Sequence, residues 1–225
     1  MARIDLNVPF AEKDQAKLLG ARWDPRVKTW YVPEGTSAEA FARWVPQLTA
    51  FGLEHEPEFH VRSPYYFILQ SATECWKCYC LTRVFSFRLP EEHEQFEFAE
   101  EDEETDFSLE SGLGYWVCDG FRAGLSDVLT LSPSVIKQLR TYTTRYQPDY
   151  SQKAGMVYYM NHCEHCSAKL GDFYMHSEPG GAFFPMSPDA ASAMTLHLVR
   201  ERFDGNGSLG WSTEDFVDFM QLKSC

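Results

Sequence analysis

Two pairs of cysteines have the spacing of metal ligands. Cys75 and Cys78 lie in the segment ECWKCYC, and Cys163 and Cys166 lie in HCEHC. A C-x-x-C turn directs two thiolates at one ion, and four thiolates complete the tetrahedral shell of Zn²⁺ without leaving a position for water. The sequence therefore predicts one structural Zn²⁺ bound by these four cysteines. Such a site contributes folding free energy on the order of 10 kcal/mol.

Three nearby side chains could replace a predicted ligand. Cys80 follows the first pair, His162 precedes the second pair, and His165 lies inside it. A single C-x-x-C also fits a redox dithiol, and thiolates bind iron as well as zinc. The 84 residues between the two pairs mean that a zinc ribbon here must contain a large insertion. Cys118, in the aromatic run YWVCDGF, is expected to be a buried core thiol.

Catalytic chemistry has one weak pair of candidates, His176 and Glu178, in the segment MHSEPGG. A catalytic zinc site normally keeps a position for water, and four cysteines leave none. Apolar and polar residues alternate from Phe173 to His176, which predicts a strand before a turn at EPGG. The two side chains would form a hydrogen bond beneath that turn or, alternatively, serve a zinc-containing hydrolase-like enzyme.

Three helices are predicted in the second half of the chain. SPSVIKQLRTYTTRY begins with a cap at Ser132 or Ser134, and SPDAASAMTLHLVRERF begins with a cap at Ser187. STEDFVDFMQLKSC begins with a cap at Ser212 or Thr213. Each cap precedes apolar residues that would lie on one side of a helix.

The first 48 residues differ in charge from the rest. They contain seven basic and six acidic residues, whereas residues 49–225 contain 13 and 27. LNVP predicts a short strand, and Ala11 to Leu19 has a helical pattern that Gly20 would close. ARWD and TWYVP predict two more strands, and Ser37 would cap a last helix. The result is a βαββα module of about 45 residues.

The segment NVPFAEKDQAKLLGARWDPRVKTWYVP resembles DUF5710, a small bacterial module fused to plasmid primases, conjugation-linked proteins and other mobile-element proteins. The resemblance covers roughly residues 3–48, where LGARWD and TWYVP match in order and spacing. It implies association with proteins that handle nucleic acid. The later segment YYMNHCEHCSAKLGDFYMHSEPGGAFFP is similar to uncharacterised bacterial zinc-ribbon proteins, in which a knuckle precedes a Gly-Asp-Phe strand.

Basic and aromatic residues are interleaved within this module. Aromatic faces beside cations hold single-stranded nucleic acid by stacking and charge. Alternatively, the tryptophans form the core of a tiny domain and the cations are simply solvated. The candidates for nucleic-acid binding are Arg22, Trp23, Arg26, Lys28 and Trp30.

An acidic insertion of residues 89–110 separates the two cysteine pairs. Between positions 91 and 106 it holds ten acidic residues and no Lys or Arg. Such runs repel themselves and usually stay solvated, but they can also cover a basic partner. The candidates for partner binding are Glu91, Glu92, Glu100, Glu101, Asp102, Glu103 and Glu104.

The chain lacks a stretch of about 18 apolar residues, so no membrane span is expected. The segment MARIDLNVPF has no secretory pattern, which predicts a cytoplasmic protein. In that compartment, paired C-x-x-C motifs more often bind metal than form disulfides.

These patterns predict an α+β protein with a small βαββα module at residues 1–48 and a linker at residues 49–64. Residues 65–225 would form a larger α+β domain that contains a split Cys₄ zinc ribbon. The expected function is that of a non-enzymatic, zinc-binding accessory protein of a bacterial mobile-element or defence system, with a protein or nucleic-acid partner. One alternative is an immunity or inhibitor protein whose acidic surface covers a basic toxin or nuclease. The other is the hydrolase-like enzyme.

Overall fold

A computed structural model describes residues 4–6, 8, 12–25, 29–33, 38–41, 43–44, 53–99, 112–211 and 215–224. The chain divides into two compact units, Met1–Glu56 with Glu97–Tyr115, and Pro57–Phe96 with Trp116–Cys225. The fold is mixed α+β and consists mostly of strands, which confirms the predicted class. The division into residues 1–48, 49–64 and 65–225 stays a prediction. Within the described residues, no helix has the length and apolar character needed to cross a membrane.

The first unit contains a small antiparallel sheet and one helix. Strands β1 (Ile4–Leu6), β2 (Arg22–Asp24) and β3 (Thr29–Val32) pair in the order β1-β3-β2, and α1 (Lys13–Leu18) connects the first two. A 3₁₀ helix follows at Ala38–Phe41. Ser37, its predicted cap, lies outside the described residues. The core residues of this unit are Leu6, Ala16, Ala21, Val32, Phe41 and Trp44.

A short strand pair also belongs to this unit. Strand β4 (Glu54–His55) pairs antiparallel with the beginning of β9 (Leu113–Val117). The backbone N–H of Glu56 donates to the carbonyl of Gly112 at 2.7 Å, which extends the pairing by one bond.

The second unit is built on a large, mainly antiparallel sheet. Its strands are β5 (Val61–Ser63), β6 (Tyr66–Glu74), β7 (Leu81–Leu89), β8 (Glu94–Phe98), β10 (Ala123–Leu131), β14 (Thr195–Val199), β15 (Phe203–Gly210) and β16 (Gln221–Ser224). Their spatial order is β16-β14-β6-β7-β10-β15-β5-β8. The hairpin of β6 and β7 pairs continuously from Phe67 opposite Arg88 to Glu74 opposite Leu81. The two strands therefore stay paired past the points where their pairing with β14 and β10 ends, at Gln70 and Phe87.

A second, three-stranded sheet lies in the same unit. It consists of β11 (Tyr146–Ser151), β12 (Met156–His162) and β13 (Lys169–Leu170), in the order β11-β12-β13. Aromatic residues of both sheets pack into one core, in which the Phe87 ring lies 6.1 Å from Tyr146 and 5.3 Å from Phe203. Burial of such large apolar groups is the main stabilising term of the unit.

The helices of the second unit are short. They are α2 (Pro133–Arg140), α3 (Asp172–His176) and α4 (Pro188–Ser192), with a 3₁₀ helix at Val217–Phe219. The first begins after Ser132, and the side chain of Ser187 caps α4 by accepting from the N–H of Ala190. Both starts agree with the prediction, because proline at the first helical position fits these caps.

Three predictions about these segments are wrong. Residues 172–176 form α3 rather than a strand, because the side chains of Asp172 and Met175, three residues apart, are buried together on one helical side. The helix predicted from Ser187 ends at Ser192, and Thr195–Val199 is instead β14. The last predicted helix is a single 3₁₀ turn followed by β16. Ser212 and Thr213 lie outside the described residues. In β14 and β16, backbone pairing with distant strands outweighs the local helical pattern.

Candidate metal centre

The four predicted ligands lie at the ends of two hairpins. The first knuckle, residues 75–80, is the turn between β6 and β7. The second knuckle, residues 163–168, connects β12 to β13. Because each hairpin positions one C-x-x-C turn, two segments separated by 84 residues meet at one point. The structure therefore brings together Cys75, Cys78, Cys163 and Cys166.

The sulfur positions fit a tetrahedral metal ion. Cys75 Sγ lies 3.6 Å from Cys166 Sγ, and Cys78 Sγ lies 3.6 Å from Cys163 Sγ. All four sulfurs lie within 4.8 Å of one another. Thiolates about 2.3 Å from a zinc ion in a tetrahedron would be about 3.8 Å apart, whereas a disulfide requires about 2.0 Å. The thiols are free, so the cluster has the dimensions of a metal site and not of disulfides.

The two knuckles have matched backbone hydrogen bonds. In the first, the N–H of Tyr79 donates to Cys75 O at 2.9 Å and the N–H of Cys75 donates to Cys80 O at 3.0 Å. In the second, the N–H of Ser167 donates to Cys163 O at 2.9 Å, and the N–H of Cys163 donates to the carbonyl five residues later at 2.9 Å. The two turns are therefore structural equivalents.

Each knuckle holds one residue in a left-handed backbone conformation. The φ angles are +60° at Tyr79 and +59° at Ser167, immediately after the second cysteine of each pair. Glycine adopts this conformation without cost, whereas other residues are strained. The positive φ angles of Tyr79 and Ser167 are therefore imposed by the C-x-x-C turn and do not reflect the backbone preference of tyrosine or serine.

The charges of the thiols favour a divalent cation. Burial raises the pKa of Cys163, but N–H groups of Cys166 and His165 that point at its sulfur lower the pKa to about 6. The pKa of Cys75 is also lowered, because N–H groups of its own knuckle outweigh burial. For Cys78 and Cys166, one N–H donor lowers the pKa, but burial and the neighbouring thiols outweigh it and raise the pKa. The N–H groups of the knuckles thus favour the thiolate of Cys75 and of Cys163, which is the form in which cysteine binds a metal ion.

Each knuckle is braced by the hairpin of the other. Glu164, in the second knuckle, accepts from the guanidinium of Arg83 at 2.7 and 3.1 Å, and its N–H donates to Thr82 Oγ1 at 3.0 Å. In the opposite direction, Trp76 Nε1 donates to the carbonyl of Lys169 at 2.9 Å. These bonds join β7 to the second knuckle and β13 to the first.

Asn161 connects the two sheets just before the second knuckle. Its Oδ1 accepts from the N–H of Phe85 at 2.7 Å, and its Nδ2 donates to the carbonyl of Phe85 at 2.9 Å. The side chain therefore satisfies the backbone of β7 where pairing with β10, which covers Phe87 to Leu89, has ended. Buried backbone groups need such partners. Sequence reasoning missed Asn161, Arg83 and Thr82, because only spatial proximity identifies them.

The other potential ligands have different contacts. Cys80 is exposed, and its sulfur lies 3.6 Å from the carbonyl of Cys78. His165 is exposed and its Nε2 lies 3.0 Å from Leu81 O. His162 is buried, with Nδ1 3.2 Å from Arg145 O and Nε2 3.0 Å from an Asp149 carboxylate oxygen. Among the described residues, the side chains at the knuckles that lie close enough together to bind one metal ion are those of the four cysteines.

Cys118 is exposed, so its prediction as a core thiol is wrong. Its sulfur lies 3.3 Å from the carbonyl of Glu91. The aromatic neighbours that suggested burial lie in and after β9, near the end of a strand, where Cys118 to Phe121 face solvent.

The weak catalytic candidates are not brought together. His176 ends α3 and packs against Phe183, with ring centroids 4.8 Å apart, and burial lowers its pKa to about 4. Glu178 is exposed. Within the described residues, no hydrogen bond connects them.

Of the predicted nucleic-acid residues, Arg22 and Trp23 are exposed on β2. Trp30, on β3, is half-buried, and its ring centroid lies 5.6 Å from that of Trp23. Arg26 and Lys28 lie outside the described residues. In the acidic run, Glu91 and Glu92 are exposed. Its remaining predicted residues, Glu100, Glu101, Asp102, Glu103 and Glu104, also lie outside the described part.

Residues 3–46 match the family described as "Domain of unknown function (DUF5710)". One protein named DNA primase TraC, from Escherichia coli, is 62% identical over 39 residues, which is 17% of this chain and 3% of that protein. Another Escherichia coli protein with the same name is 44% identical over 62 residues, which is 28% of this chain and 6% of that protein. The predicted link between the N-terminal residues and primase proteins is thereby confirmed. No solved structure matches the chain.

Proposed function

We propose that this chain is a non-enzymatic, zinc-stabilised accessory protein of a bacterial mobile-element or defence system. The observation that carries the proposal is the DUF5710 match at residues 3–46, together with the similarity to DNA primases. A module shared with a primase suits work beside nucleic acid. The partner is a nucleic acid or a protein that handles one.

Zn²⁺ is the metal that the cysteine cluster suits best. Four sulfur donors at tetrahedral separations match its structural sites. All four positions are filled by protein, so the ion would stabilise the hairpins and would not bind water for catalysis. Elemental analysis of freshly purified protein should give one zinc per chain, and iron in its place would overturn this assignment.

The nucleic-acid role is assigned first to the N-terminal module. Arg22 and Trp23 are both exposed on β2, so the module presents an accessible cation and an accessible aromatic ring. Stacking on such a face contributes about 1–3 kcal/mol per base. Arg26, Lys28 and Trp30 would add charge and support.

Binding of a labelled single-stranded oligonucleotide by the full chain tests this role. Fluorescence anisotropy should show affinity that falls as salt increases, because phosphate contacts release counterions. The double variant Arg22→Ala/Trp23→Ala should weaken binding roughly tenfold or more. Leu18→Ala is the matched control, because Leu18 is exposed in the same module but carries neither charge nor ring.

The immunity or inhibitor alternative rests on the exposed carboxylates of Glu91 and Glu92. It predicts a basic protein partner that is lost when the acidic residues from Glu91 to Glu104 are neutralised. The hydrolase-like alternative has no support from contacts of His176 and Glu178. A wild-type chain that binds no oligonucleotide but captures a basic nuclease would favour the inhibitor role.

A further inference from the structure

The surface around the two knuckles has an unusual density of exposed aromatic side chains. The knuckle region is defined as residues 75–83 and 143–176. Trp76 is 65% exposed and Tyr79 is 75% exposed, although large rings usually bury most of their area. Three other aromatic residues of this region are at least half exposed: Tyr150, Phe173 and Tyr174.

Cations accompany these rings. The carbonyl of Lys169 accepts from Trp76, which places the two residues side by side. The Lys153 ammonium lies 4.8 Å from the ring centroid of Phe173 and 5.6 Å from that of Tyr174. Lys77 stands next to Trp76 in the first knuckle and is exposed. A positive charge therefore lies over the rings of Phe173 and Tyr174, and the exposed Lys77 lies between Trp76 and Tyr79 in the chain.

The knuckle region, like residues 1–48, is not acidic although the whole chain is. It contains five basic and three acidic residues, whereas the rest of the chain contains 15 and 30. Its acidic residues are already engaged: Glu164 pairs with Arg83, Asp149 pairs with Lys169, and Asp172 is buried. A divalent ion with four thiolates would bring the region to neutrality. The rest of residues 49–225 contains 8 basic and 24 acidic residues, so within that part of the chain a polyanion would be repelled least at the knuckles.

From these observations we infer that the knuckle region is a second binding surface, and that its ligand is single-stranded nucleic acid. Unpaired bases stack on Trp76 and Tyr79, and Lys77 lies near the backbone phosphates. Stacking on exposed rings beside cations is tolerant of sequence, because every base has an aromatic face. The inference rests on the proposed function, because it adds a second nucleic-acid contact to the one proposed for the N-terminal module.

Tyr79 allows a test in which the fold is preserved. Its φ of +60° suits glycine better than tyrosine, so Tyr79→Gly removes an exposed ring and relieves backbone strain. Trp76→Ala is a less clean variant, because it also removes the bond to Lys169. Trp211→Ala is the matched control, because Trp211 is 60% exposed in the same unit but outside the knuckle region.

The experiment measures binding of the zinc-loaded full chain to fluorescein-labelled oligothymidylate of about 20 nucleotides. Tyr79→Gly and Lys77→Ala should each weaken binding several-fold, and together with Trp76→Ala about a hundredfold. Trp211→Ala should change affinity by less than about twofold. Zinc content and thermal unfolding of each variant establish that the fold is retained. A duplex of the same length should bind more weakly, because its bases are not available for stacking.

The outcomes separate the two proposals. If knuckle variants bind as well as wild type while Arg22→Ala/Trp23→Ala binds weakly, the knuckle inference is overturned and the proposed function stands. If knuckle variants weaken binding and the N-terminal variant does not, the inference stands and the N-terminal assignment is overturned. If the wild-type chain binds no oligonucleotide, the inference is overturned. The accessory role would then have to involve a protein partner. Oligouridylate in place of oligothymidylate distinguishes RNA from DNA as the strand that is bound.

Discussion

The first and second knuckles have the same backbone and different surroundings. Both close with the same pair of backbone hydrogen bonds, and both place a non-glycine residue at a φ near +60°. Cys75 and Cys163 are both buried, but in the second knuckle Glu164 is also held by Arg83 and Thr82. In the first, the rings of Trp76 and Tyr79 face solvent. The turn determines where the sulfurs lie, and the neighbours determine what else each knuckle can do.

This comparison separates a structural role from a surface role at one site. Arg83 and Thr82 hold the second knuckle through Glu164 and not through its cysteines. The contacts of this knuckle therefore mainly fix the positions of the sulfurs. The first knuckle presents side chains whose burial would have been favourable. Exposed rings without a packing role suggest recognition, which is the basis of the second binding surface inferred above.

The largest expected effect tests whether the centre holds the fold. Cys163→Ser should lose the metal, because one of its four ligands is gone. It should also lose the cooperative unfolding transition, because metal binding no longer contributes to the free energy of folding. Elemental analysis and thermal unfolding would measure both. Cys80→Ser is the control and should retain metal and transition, since Cys80 is exposed and stands outside the cluster. A folded, metal-bound Cys163→Ser would refute the four-cysteine assignment.

The second effect tests the cost of burying the carboxyl of Asp172, the first residue of α3. Burial raises the pKa of Asp172 to about 7, while the N–H of Asp127 partly opposes this. The folded state thus keeps a proton that the unfolded state loses near pH 4. Stability is fully present below about pH 4 and is lost as pH rises through 7, by at most about 1.4 kcal/mol per pH unit.

Asp172→Asn should flatten this dependence, because the amide cannot ionise. Urea unfolding between pH 4 and 8 would measure the difference from wild type. Asp189→Asn, which changes an exposed carboxylate, is the control and should leave the slope unchanged. Parallel curves for wild type and Asp172→Asn would show that burial of this carboxyl has no energetic consequence.

The third effect compares the strained residues of the two turns. Tyr79→Gly should stabilise the protein by up to about 1 kcal/mol, because glycine adopts a positive φ without strain. Ser167→Gly should gain less, since Ser167 Oγ also accepts from Arg145 Nη1 at 3.0 Å. Urea unfolding of the zinc-loaded proteins gives both values. Destabilisation by Tyr79→Gly would mean that the tyrosine ring supports the turn after all.

The smallest effect compares the two braces. Glu164→Gln weakens a partly exposed ion pair with Arg83 and should cost about 0.5 kcal/mol. Trp76→Phe removes one hydrogen bond to Lys169 and should cost about 1 kcal/mol. Release of metal to a chelator should be faster in both variants. Arg202→Ala, which removes an exposed pair with Asp204 far along the chain, should not change the rate of release.

Elements with a strong local signal were predicted well. The start of α2 after Ser132 and the cap of α4 at Ser187 follow from a serine followed by proline, which acts within one turn. The strands β14 and β16 were missed, because β14 is stabilised by pairing with β6, and β16 by pairing with β14. A helix-like apolar pattern cannot reveal partners more than a hundred residues away.

The sequence by itself identified the four candidate ligands, which the structure brings together. Two thiols separated by two residues converge whatever surrounds them, so the identity of the four cysteines and the preference for a soft, tetrahedral ion were local properties. Only the tertiary structure decided that the two pairs form one site. That depends on the hairpin of β6 and β7, on Asn161 bound to Phe85, and on the crossed braces. These contacts join residues 76 to 93 positions apart in the chain, so no local pattern could specify them.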